Sequence, residues 1–477
     1  MAGGKSSEET AAEGDDPRVL SLFRQLYFFL YSSFGVWYPY RALFFASCGY
    51  SKAMIGIFTM MPNMASFMVA PLTNSLADQY DVKFEMMGAS ILGSVGTNLP
   101  LLFFGSYEVI AFTLMTFSSA IGSSIGSLVD SMVISNLKQS KDFGKMRQWG
   151  AISFGIFSLL AGVSLTTPDG GMAETSQFVW IMLMMTIFSL VAIVIILSVR
   201  TLLCAIDDSD SDAVAASANK ITTESDRHSL SEDTRESTIT KVINLFTSRP
   251  IIFVFCFVVF CSGFGAGVID SFLFIRLEEL GGSGTLCGVA RFITCMAEVP
   301  AFQVAGTLHK RYGTWPLLAF TQAVFVLRFI CYATLRNPWW VLPIEILNGV
   351  TFAITWSVSC IYADAISPEG THSTMQALLE AMHFGLGCGT GSLAAGFIYD
   401  NSGAVSCFAW SGSLSGLSCG VALLTAGYTA RNGGDETSES SGERLRRPSE
   451  TALNKDVELA GVNSKHGLLL KTEEFEC

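Results

Sequence analysis

Long apolar runs dominate the chain, and short polar segments separate them. Two of the clearest are FVWIMLMMTIFSLVAIVIILSV, residues 178–199, and PLLAFTQAVFVLRFICYATL, residues 316–335. Each holds about 20 residues, the length that an α-helix needs to cross the hydrocarbon core of a bilayer. The runs lack the alternation of apolar and polar positions that marks a membrane β-barrel. The pattern therefore predicts an all-α membrane protein.

Twelve such runs predict twelve transmembrane helices. A polar stretch rich in Ser, Thr and Asp lies between the sixth and the seventh and divides the helices into six and six. Its low apolar content predicts disorder. The predicted spans are 20–46, 53–77, 84–105, 108–136, 146–166, 177–203, 249–275, 285–307, 314–335, 339–365, 371–398 and 404–428. The predicted regions are a cytoplasmic tail at 1–19, a six-helix bundle at 20–204, a disordered linker at 205–245, a second six-helix bundle at 246–429 and a tail at 430–477.

Composition and charge agree with this division. The 477 residues are 50% hydrophobic and 15% charged, against about 25% charged in a typical soluble protein. Residues 1–18, 205–240 and 430–477 together account for the whole net charge of −12. Lys and Arg are more frequent in the loops that share a side with the N-terminus, so the positive-inside rule predicts that both termini and the linker are cytosolic.

Three short matches relate the two halves at nearly one offset. NSLADQYDVK (74–83) corresponds to GTLHKRYGT (306–314), SLLAG (158–162) to SLAAG (392–396), and Asp130 to Asp364. Their offsets of about 232–234 residues indicate duplication of a six-helix unit in one orientation, as in transporters with parallel repeats.

These features resemble the major facilitator superfamily. The loop after the second span of each half keeps part of that family's Gly-x-x-x-Asp-Arg-x-Gly-Arg pattern, with Asp78 in the first copy and Arg311 in the second. FGVWYPYRALFF (34–45), RNPWWVLPIEILNG (336–349) and MQALLEAMHFGLG (375–387) are similar to the branch of sugar–proton and nucleoside–proton symporters, and above all to the animal "major facilitator superfamily domain-containing protein six" group. The resemblance implies the major facilitator fold, alternating access, and a gating role for Asp78 and Arg311.

Charged residues within the apolar runs are the main functional signal. Arg328 and Glu345 lie on either side of the turn at Asn337-Pro338. A rise of 1.5 Å per residue puts both roughly 12 Å below the outer interface, level with each other. Asp270 and Arg291 form a second level pair of opposite sign. These pairs are either static contacts that fix helix register or parts of a transport pathway.

Three acidic residues and a histidine are candidate proton sites. A carboxyl group removed from water exchanges its proton closer to neutral pH than an exposed one. Glu298, Glu345 and Glu380 fit that description, and His383 is the fourth titratable candidate, with a hydrogen-bonded core position as its alternative. We expect Arg328 to modulate Glu345.

The first half contains an expected ion pair that could hold the cytoplasmic side closed, and three polar residues that could contact substrate. Asp130 near the inner end of span 4 and Arg147 at the start of span 5 are expected to pair and to latch the cytoplasmic side. Tyr31, Asn63 and Asn98 are candidate substrate contacts or, alternatively, helix–helix hydrogen bonds. Arg41 and Glu85 lie close enough to an interface to extend toward water, and the sequence gives them no further role.

Other functional signals are weak. Gly122-Ser123-Ser124-Ile125-Gly126 has the spacing of a hydrolase nucleophile elbow, but it lies in a membrane span rather than at a strand-to-helix turn. The sequence has no Walker A pattern and no zinc-ligand cluster. We therefore expect no enzyme activity, cofactor, metal or nucleic-acid partner.

The functional hypothesis is a secondary transporter of a small polar organic solute, coupled to protons. The alternative is a receptor or scaffold that keeps the fold without transport. The plasma membrane is the expected location, with an internal membrane such as the endosomal one as the alternative, and a monomer is the expected state. The substrate stays open because fold analogy does not supply it.

Overall fold

The computed structural model describes residues 17–80, 82–135, 143–167, 175–217, 244–368 and 371–431. Most of the three predicted polar regions, 1–19, 205–245 and 430–477, lies outside these residues. The described residues fold as helices that are joined by short turns, and each of the twelve predicted spans is helical. We number the spans 1 to 12 in chain order.

The first half contains spans 1–6, and several of them are interrupted. Pro39 and Pro71 each lie at the first or second position of a new helical segment, where proline is tolerated. The helix of span 6 continues beyond residue 204, through the alanine-rich segment at 213–216, whose residues favour helix. The helices are Pro17–Trp37 and Arg41–Ser47 (span 1), Lys52–Met68 and Ala70–Gln79 (span 2), Lys83–Asn98 and Leu101–Phe104 (span 3), Glu108–Gly122 and Ile125–Ser135 (span 4), Phe143–Ser164 (span 5) and Phe178–Ser217 (span 6).

The second half contains spans 7–12. Spans 10 and 11 each include a π-helical segment, a rare geometry that occurs frequently at functional sites. Gly403 has a φ of 79° inside the last helix and separates span 11 from span 12. The helices are Ile251–Glu279 (span 7), Gly284–Tyr312 (span 8), Thr314–Thr334 (span 9), Val341–Glu345, the π-helix Gly349–Ile354 and Thr355–Ile366 (span 10), His372–Glu380 and the π-helix Ala381–Cys388 (span 11), and Gly389–Arg431, which completes span 11 and forms span 12.

Length and hydropathy support membrane crossing. Among the described residues, eight helical segments are long and apolar enough to span a bilayer, and a ninth is the pair Lys52–Met68 and Ala70–Ala77, bent by 41°. One of the eight, Thr374–Arg431, has 58 residues, which is about twice what one crossing requires. The break at Gly403 divides it into two crossings.

The two halves approach each other most closely through glycines on spans 2, 5, 8 and 11. A Cβ atom added to Gly162 would lie 2.4 Å from the backbone oxygen of Gly284, and one added to Gly396 would lie 2.6 Å from that of Lys52. Three polar contacts join the halves nearby: Thr166 with Thr285 at 2.8 Å, Lys52 with Glu279 at 3.5 Å, and the Lys52 amide with Asp400 at 3.3 Å. We call these contacts the outer seam, because the predicted orientation puts them outside. The structure is closed there.

Substitution of a seam glycine should open the outer side. In Gly162→Val the new side chain meets backbone that cannot yield, so the outer ends have to separate. Spin labels on cysteines introduced at the exposed positions Ser106 and Ser402, in a background without the native cysteines, report this distance. We expect a shift of several ångströms toward longer distances.

Gly306→Val is the matched control. Gly306 lies on span 8, like Gly284, but nothing lies within 4 Å of a Cβ atom added there. We expect the control to reproduce the parental distances. An unchanged distribution in Gly162→Val would contradict a seam held by backbone contact.

Candidate functional site

A central cavity of about 250 Å³ lies between the two halves. Spans 1, 2 and 5 line it from the first half, and spans 7 to 11 line it from the second. Its wall combines aromatic rings with groups of both charge signs. The polar and charged lining residues that concern the site are Tyr38, Arg41, Thr59, Asn63, Asp270, Ser271, Arg291, Glu298, Arg328, Asn348, Thr351, His383 and Ser392.

Arg328 and Glu345 form the buried ion pair that the sequence predicts. Nη2 of Arg328 lies 3.2 Å from Oε2 of Glu345, and the two residues are 1% and 3% exposed. The turn between spans 9 and 10 sets their register. There, the Asn337 side chain accepts a hydrogen bond from the Trp339 amide at 3.0 Å, and Pro338 begins the next helical turn.

Neighbouring hydroxyls complete the pair. Tyr332 Oη accepts hydrogen bonds from Nε and Nη2 of Arg328, at 3.1 and 2.8 Å, and donates one to Glu345. Thr294 donates to Oε2 of Glu345 at 2.8 Å. A buried ion pair is tolerated when further hydrogen bonds satisfy its remaining donors and acceptors. Spans 8, 9 and 10 are therefore linked through one polar cluster.

Asn348 extends this cluster to Glu298. Its Oδ1 accepts a hydrogen bond from Nη1 of Arg328 at 2.8 Å, and its Nδ2 donates one to Oε1 of Glu298, also at 2.8 Å. Nη1 of Arg328 donates to Thr351 as well, at 2.6 Å. The contact between spans 8 and 10 is close here, because a Cβ atom on Gly349 would lie 2.4 Å from the Ala297 oxygen. Glu298 faces the cavity, and a neutral amide links it to the buried pair.

Asp270 and Arg291 form a second ion pair, this one in the cavity wall. Nη2 of Arg291 donates to Oδ1 of Asp270 at 2.9 Å. The Asp270 side chain is 58% exposed and that of Arg291 is 17% exposed. The guanidinium also lies over the Phe274 ring, 5.5 Å from its centroid. The level pairing that the sequence predicts for these two residues is confirmed.

His383 lies in the π-helix of span 11 and lines the same cavity. It is 2% exposed and packs among Phe352, Trp356 and Phe384. Its Nε2 has no hydrogen-bond partner among the described residues. Glu380, one turn before it, is exposed, and its strongest interactions with charged groups are with Arg147 and Asp130 of the other half.

Asp130 and Arg147 are close in space near the predicted inner end. Nη2 of Arg147 lies 3.6 Å from Oδ2 of Asp130, and Tyr27 donates a hydrogen bond to Oδ1 of Asp130 at 2.6 Å. The Arg147 side chain is 55% exposed. Spans 1, 4 and 5 thus share one polar contact on the side opposite the outer seam.

The three polar candidates of the first half lie in different places. Asn63 lines the central cavity and donates to the Thr59 carbonyl at 3.1 Å. Tyr31 packs against Gly150, between spans 1 and 5. Asn98 is buried and donates to Ser118 at 2.7 Å, which corresponds to the helix–helix alternative. It lines a second, small cavity of about 50 Å³ within the first half, whose wall shares Tyr38 and Arg41 with the central cavity.

Arg311, one of the predicted gating residues, lies outside the cavity wall. Arg311 is exposed, and its guanidinium lies over the Tyr312 ring, 5.3 Å from the centroid. The side chain of Asp78 is outside the described part of the structure. No group of three or more potential metal ligands occurs among the described residues.

Arg41 is a cavity residue that the sequence interpretation assigned to the interface, and that interpretation is wrong. Its guanidinium lines the central cavity and lies over the Tyr38 ring, 4.6 Å from the centroid. The 3₁₀ turn Tyr38–Tyr40 interrupts span 1 just before it. A count of residues along a straight helix misses this bend, although Pro39 is the sequence signal for it.

Comparison with known proteins agrees with this architecture. The MFS_1-like family model matches residues 20–410. The maltose permease of Geobacillus stearothermophilus is 24% identical over 400 residues, covering 81% of this chain and 90% of that protein. A major facilitator superfamily domain-containing protein 6-like from Danio rerio is 26% identical over 188 residues, 37% of this chain and about a third (34%) of that protein.

Solved structures show the same fold. A mutant of the nucleoside transporter NupG superimposes with a TM-score of 0.66 at 15% identity, covering 85% of this chain and 98% of that one. A D-xylose–proton symporter gives a TM-score of 0.61 at 15% identity, covering 85% and 96%. Both of these solved structures are of transporters and not of enzymes. The chain belongs to the MFS_1-like family, and it is a multi-pass membrane protein with the all-α fold of major facilitator transporters.

Proposed function

We propose that the protein is a secondary active transporter that binds a small polar organic solute in the central cavity and couples its movement to protons. The observation that carries the proposal is the position of Glu298. It faces a cavity shared by both halves, and Asn348 links it to the buried pair Arg328–Glu345. Among the relatives, the maltose permease, the nucleoside transporter and the xylose–proton symporter support a solute of this size and polarity.

Glu298 is the proposed proton site, and Glu345 is not. Glu345 accepts hydrogen bonds from Arg328, Thr294 and Tyr332, so protonation would break a satisfied ion pair. The hydrogen bond that Glu298 makes is with the neutral amide of Asn348. The Asn348 amide donates this hydrogen bond to the Glu298 carboxylate. Protonation of Glu298 therefore breaks no ion pair. Water or solute in the cavity reaches Glu298 directly.

Alternating access follows from the arrangement of the halves. The outer seam is closed by backbone contacts between glycines. Near the other end, Arg147 and Glu380 are exposed and belong to opposite halves. When the outer seam opens, the inner ends have to approach, and we propose that Glu380 then competes with Asp130 for Arg147. Asp78 and Arg311, at the helix ends of spans 2 and 8, lie on this same side and are the further proposed gating residues.

Glu298→Gln should uncouple protons from solute. The variant keeps the hydrogen bond to Asn348 but has no group that takes up or releases a proton near neutral pH. We expect purified protein in liposomes to lose solute-dependent acidification, measured with an internal pH dye, and to keep exchange of labelled solute. Pools of sugars, nucleosides, amines and organic acids supply the solute.

Glu85→Gln is the control for that assay. Glu85 pairs with Arg200 at 2.6 Å, and both side chains are about half exposed (45% and 49%). We expect parental acidification from the control. If Glu298→Gln acidified the lumen as the parent does, Glu298 would not be the proton site, and if neither acidification nor exchange occurred in the parent, the receptor or scaffold alternative would replace this proposal.

Glu345→Gln should act on stability instead. It leaves the Arg328 charge buried without its carboxylate, and loss of one partner of a buried pair costs about 3–5 kcal/mol. We expect a large drop in the thermal unfolding temperature in detergent, whereas Glu298→Gln should shift it little. Equal shifts in the two variants would contradict the division of roles between the two carboxylates.

A further inference from the structure

Three guanidinium groups line the central cavity, and two of them have carboxylate partners. Arg291 pairs with Asp270 at 2.9 Å and Arg328 with Glu345 at 3.2 Å. Arg41 has no carboxylate within ion-pair distance among the described residues. Its guanidinium lies over the face of the Tyr38 ring, and the carboxylate that acts on it electrostatically is Asp270, which forms its ion pair with Arg291. Its Nε is buried and has no hydrogen-bond partner in that part of the chain.

An unmatched cation inside a membrane protein requires an explanation. A charge held inside a membrane protein is costly, so such groups normally pair or serve a ligand. The neutral face of Tyr38 offsets part of this cost, but it leaves the charge in place. Arg41 is therefore positioned to receive an anion from outside the chain.

The local fold holds Arg41 at the cavity. The 3₁₀ turn Tyr38–Tyr40 redirects span 1 and begins a new helix at Arg41. Tyr40 fixes this turn, because its hydroxyl donates to the Ser158 carbonyl at 2.7 Å. Tyr40 and Ala42, the residues on either side of Arg41 in the sequence, are both buried. The orientation of Arg41 thus depends on well-packed neighbours and not on a flexible loop.

The charged side chains in the cavity wall indicate the charge of the solute that would neutralise them. The pairs Asp270–Arg291 and Arg328–Glu345 are neutral, which leaves Arg41 and Glu298. When Glu298 carries a proton, the wall has one net positive charge. We propose that the solute carries a single carboxylate and that Arg41 binds it. This inference rests on the proposed transport function and deepens it by naming the substrate class.

The rest of the cavity suits such a molecule. A guanidinium presents parallel N–H groups that match the two oxygens of a carboxylate. On the other half, His383 is part of the cavity wall, and its buried Nε2 has no hydrogen-bond partner among the described residues. We propose that a rotation of the ring exposes this nitrogen to a hydroxyl or amide of the same solute. Phe352 and Phe384 supply apolar surface beside it.

Charge balance adds a transport consequence. A solute of charge −1 that moves with one proton carries no net charge across the membrane. Its uptake should respond to a pH gradient but not to an imposed potassium diffusion potential. A neutral solute moved with one proton would carry one positive charge, and its uptake would depend on voltage.

The test uses solutes of matched size and different charge. Glucuronate, glucose and glucosamine share one ring, and benzoate, benzyl alcohol and benzylamine share another. Thermal unfolding of the full-length protein in detergent, at about pH 6, measures binding without requiring transport. We expect glucuronate, benzoate or both to raise the unfolding temperature of the protein. We expect no rise from the neutral and cationic compounds of either set. Stabilisation by the neutral or cationic member of a set, or by no compound at all, would overturn the proposal.

Variants of Arg41 separate ligand binding from a structural role. We expect Arg41→Gln to raise the half-saturating concentration of the carboxylate at least tenfold, and Arg41→Lys to have a smaller effect. Since Arg41 has no carboxylate within ion-pair distance in the described part of the chain, Arg41→Gln should keep or raise the unfolding temperature without ligand. Arg200→Gln is the control: Arg200 forms the exposed ion pair with Glu85, so this variant should bind the carboxylate as the parent does. A destabilised Arg41→Gln, or one with parental affinity, would count against the proposal.

This experiment distinguishes the inference from the proposed function. Carboxylate binding without uptake into liposomes would support the inference and contradict transport. Coupled uptake of a neutral solute with no carboxylate binding would support transport and overturn the inference.

Discussion

The cost of a charge held away from water is the constraint on which the second half of this protein depends. Arg328 is 1% exposed on a membrane span, so the fold has to supply acceptors for its donors. Glu345, Tyr332, Asn348 and Thr351 do so from spans 9 and 10, and Thr294 of span 8 completes the bonding of Glu345. The need to satisfy the Arg328 guanidinium therefore fixes spans 8, 9 and 10 relative to one another. The same spans form part of the cavity wall.

The contacts between the halves are of a different kind. The outer seam consists of glycine backbones in close approach, with a few polar contacts at its end. Such a surface is held by van der Waals contact and, among the residues that the structure describes, has no buried ion pair to break when it separates. A rigid, hydrogen-bonded second half beside a seam that separates at low cost is what rocking of two bundles around a central solute requires.

The sequence predicts the helices and the principal pairs well, because both depend on distances along the chain. Run lengths near 20 residues give the twelve spans. Similar counts on either side of the Asn337-Pro338 turn put Arg328 roughly level with Glu345. Similar counts on either side of the loop between spans 7 and 8 do the same for Asp270 and Arg291. Asn98 remains ambiguous in the sequence, since an amide in a span serves a substrate or a neighbouring helix equally well. In the structure its partner is Ser118.

Features that depend on local irregularity are harder to predict. Arg41 reaches the cavity because a 3₁₀ turn bends span 1, whereas a straight-helix count puts it at the interface. Asn348 and Thr351 are neutral, so a search for charges in apolar runs passes over them. Asn348 nevertheless connects Glu298 to Arg328, and Thr351 accepts a hydrogen bond from Arg328. The π-helices at Gly349–Ile354 and Ala381–Cys388 depend on tertiary packing and carry no simple sequence signal.

The central claim is that proton movement through this cavity drives solute movement. The most direct measurement is the accumulation of a labelled solute by liposomes that contain the purified protein and have an alkaline interior. The account predicts accumulation above the external concentration, followed by loss of the excess when a protonophore collapses the pH gradient. Uptake that stops at equal concentrations and ignores the protonophore would contradict it.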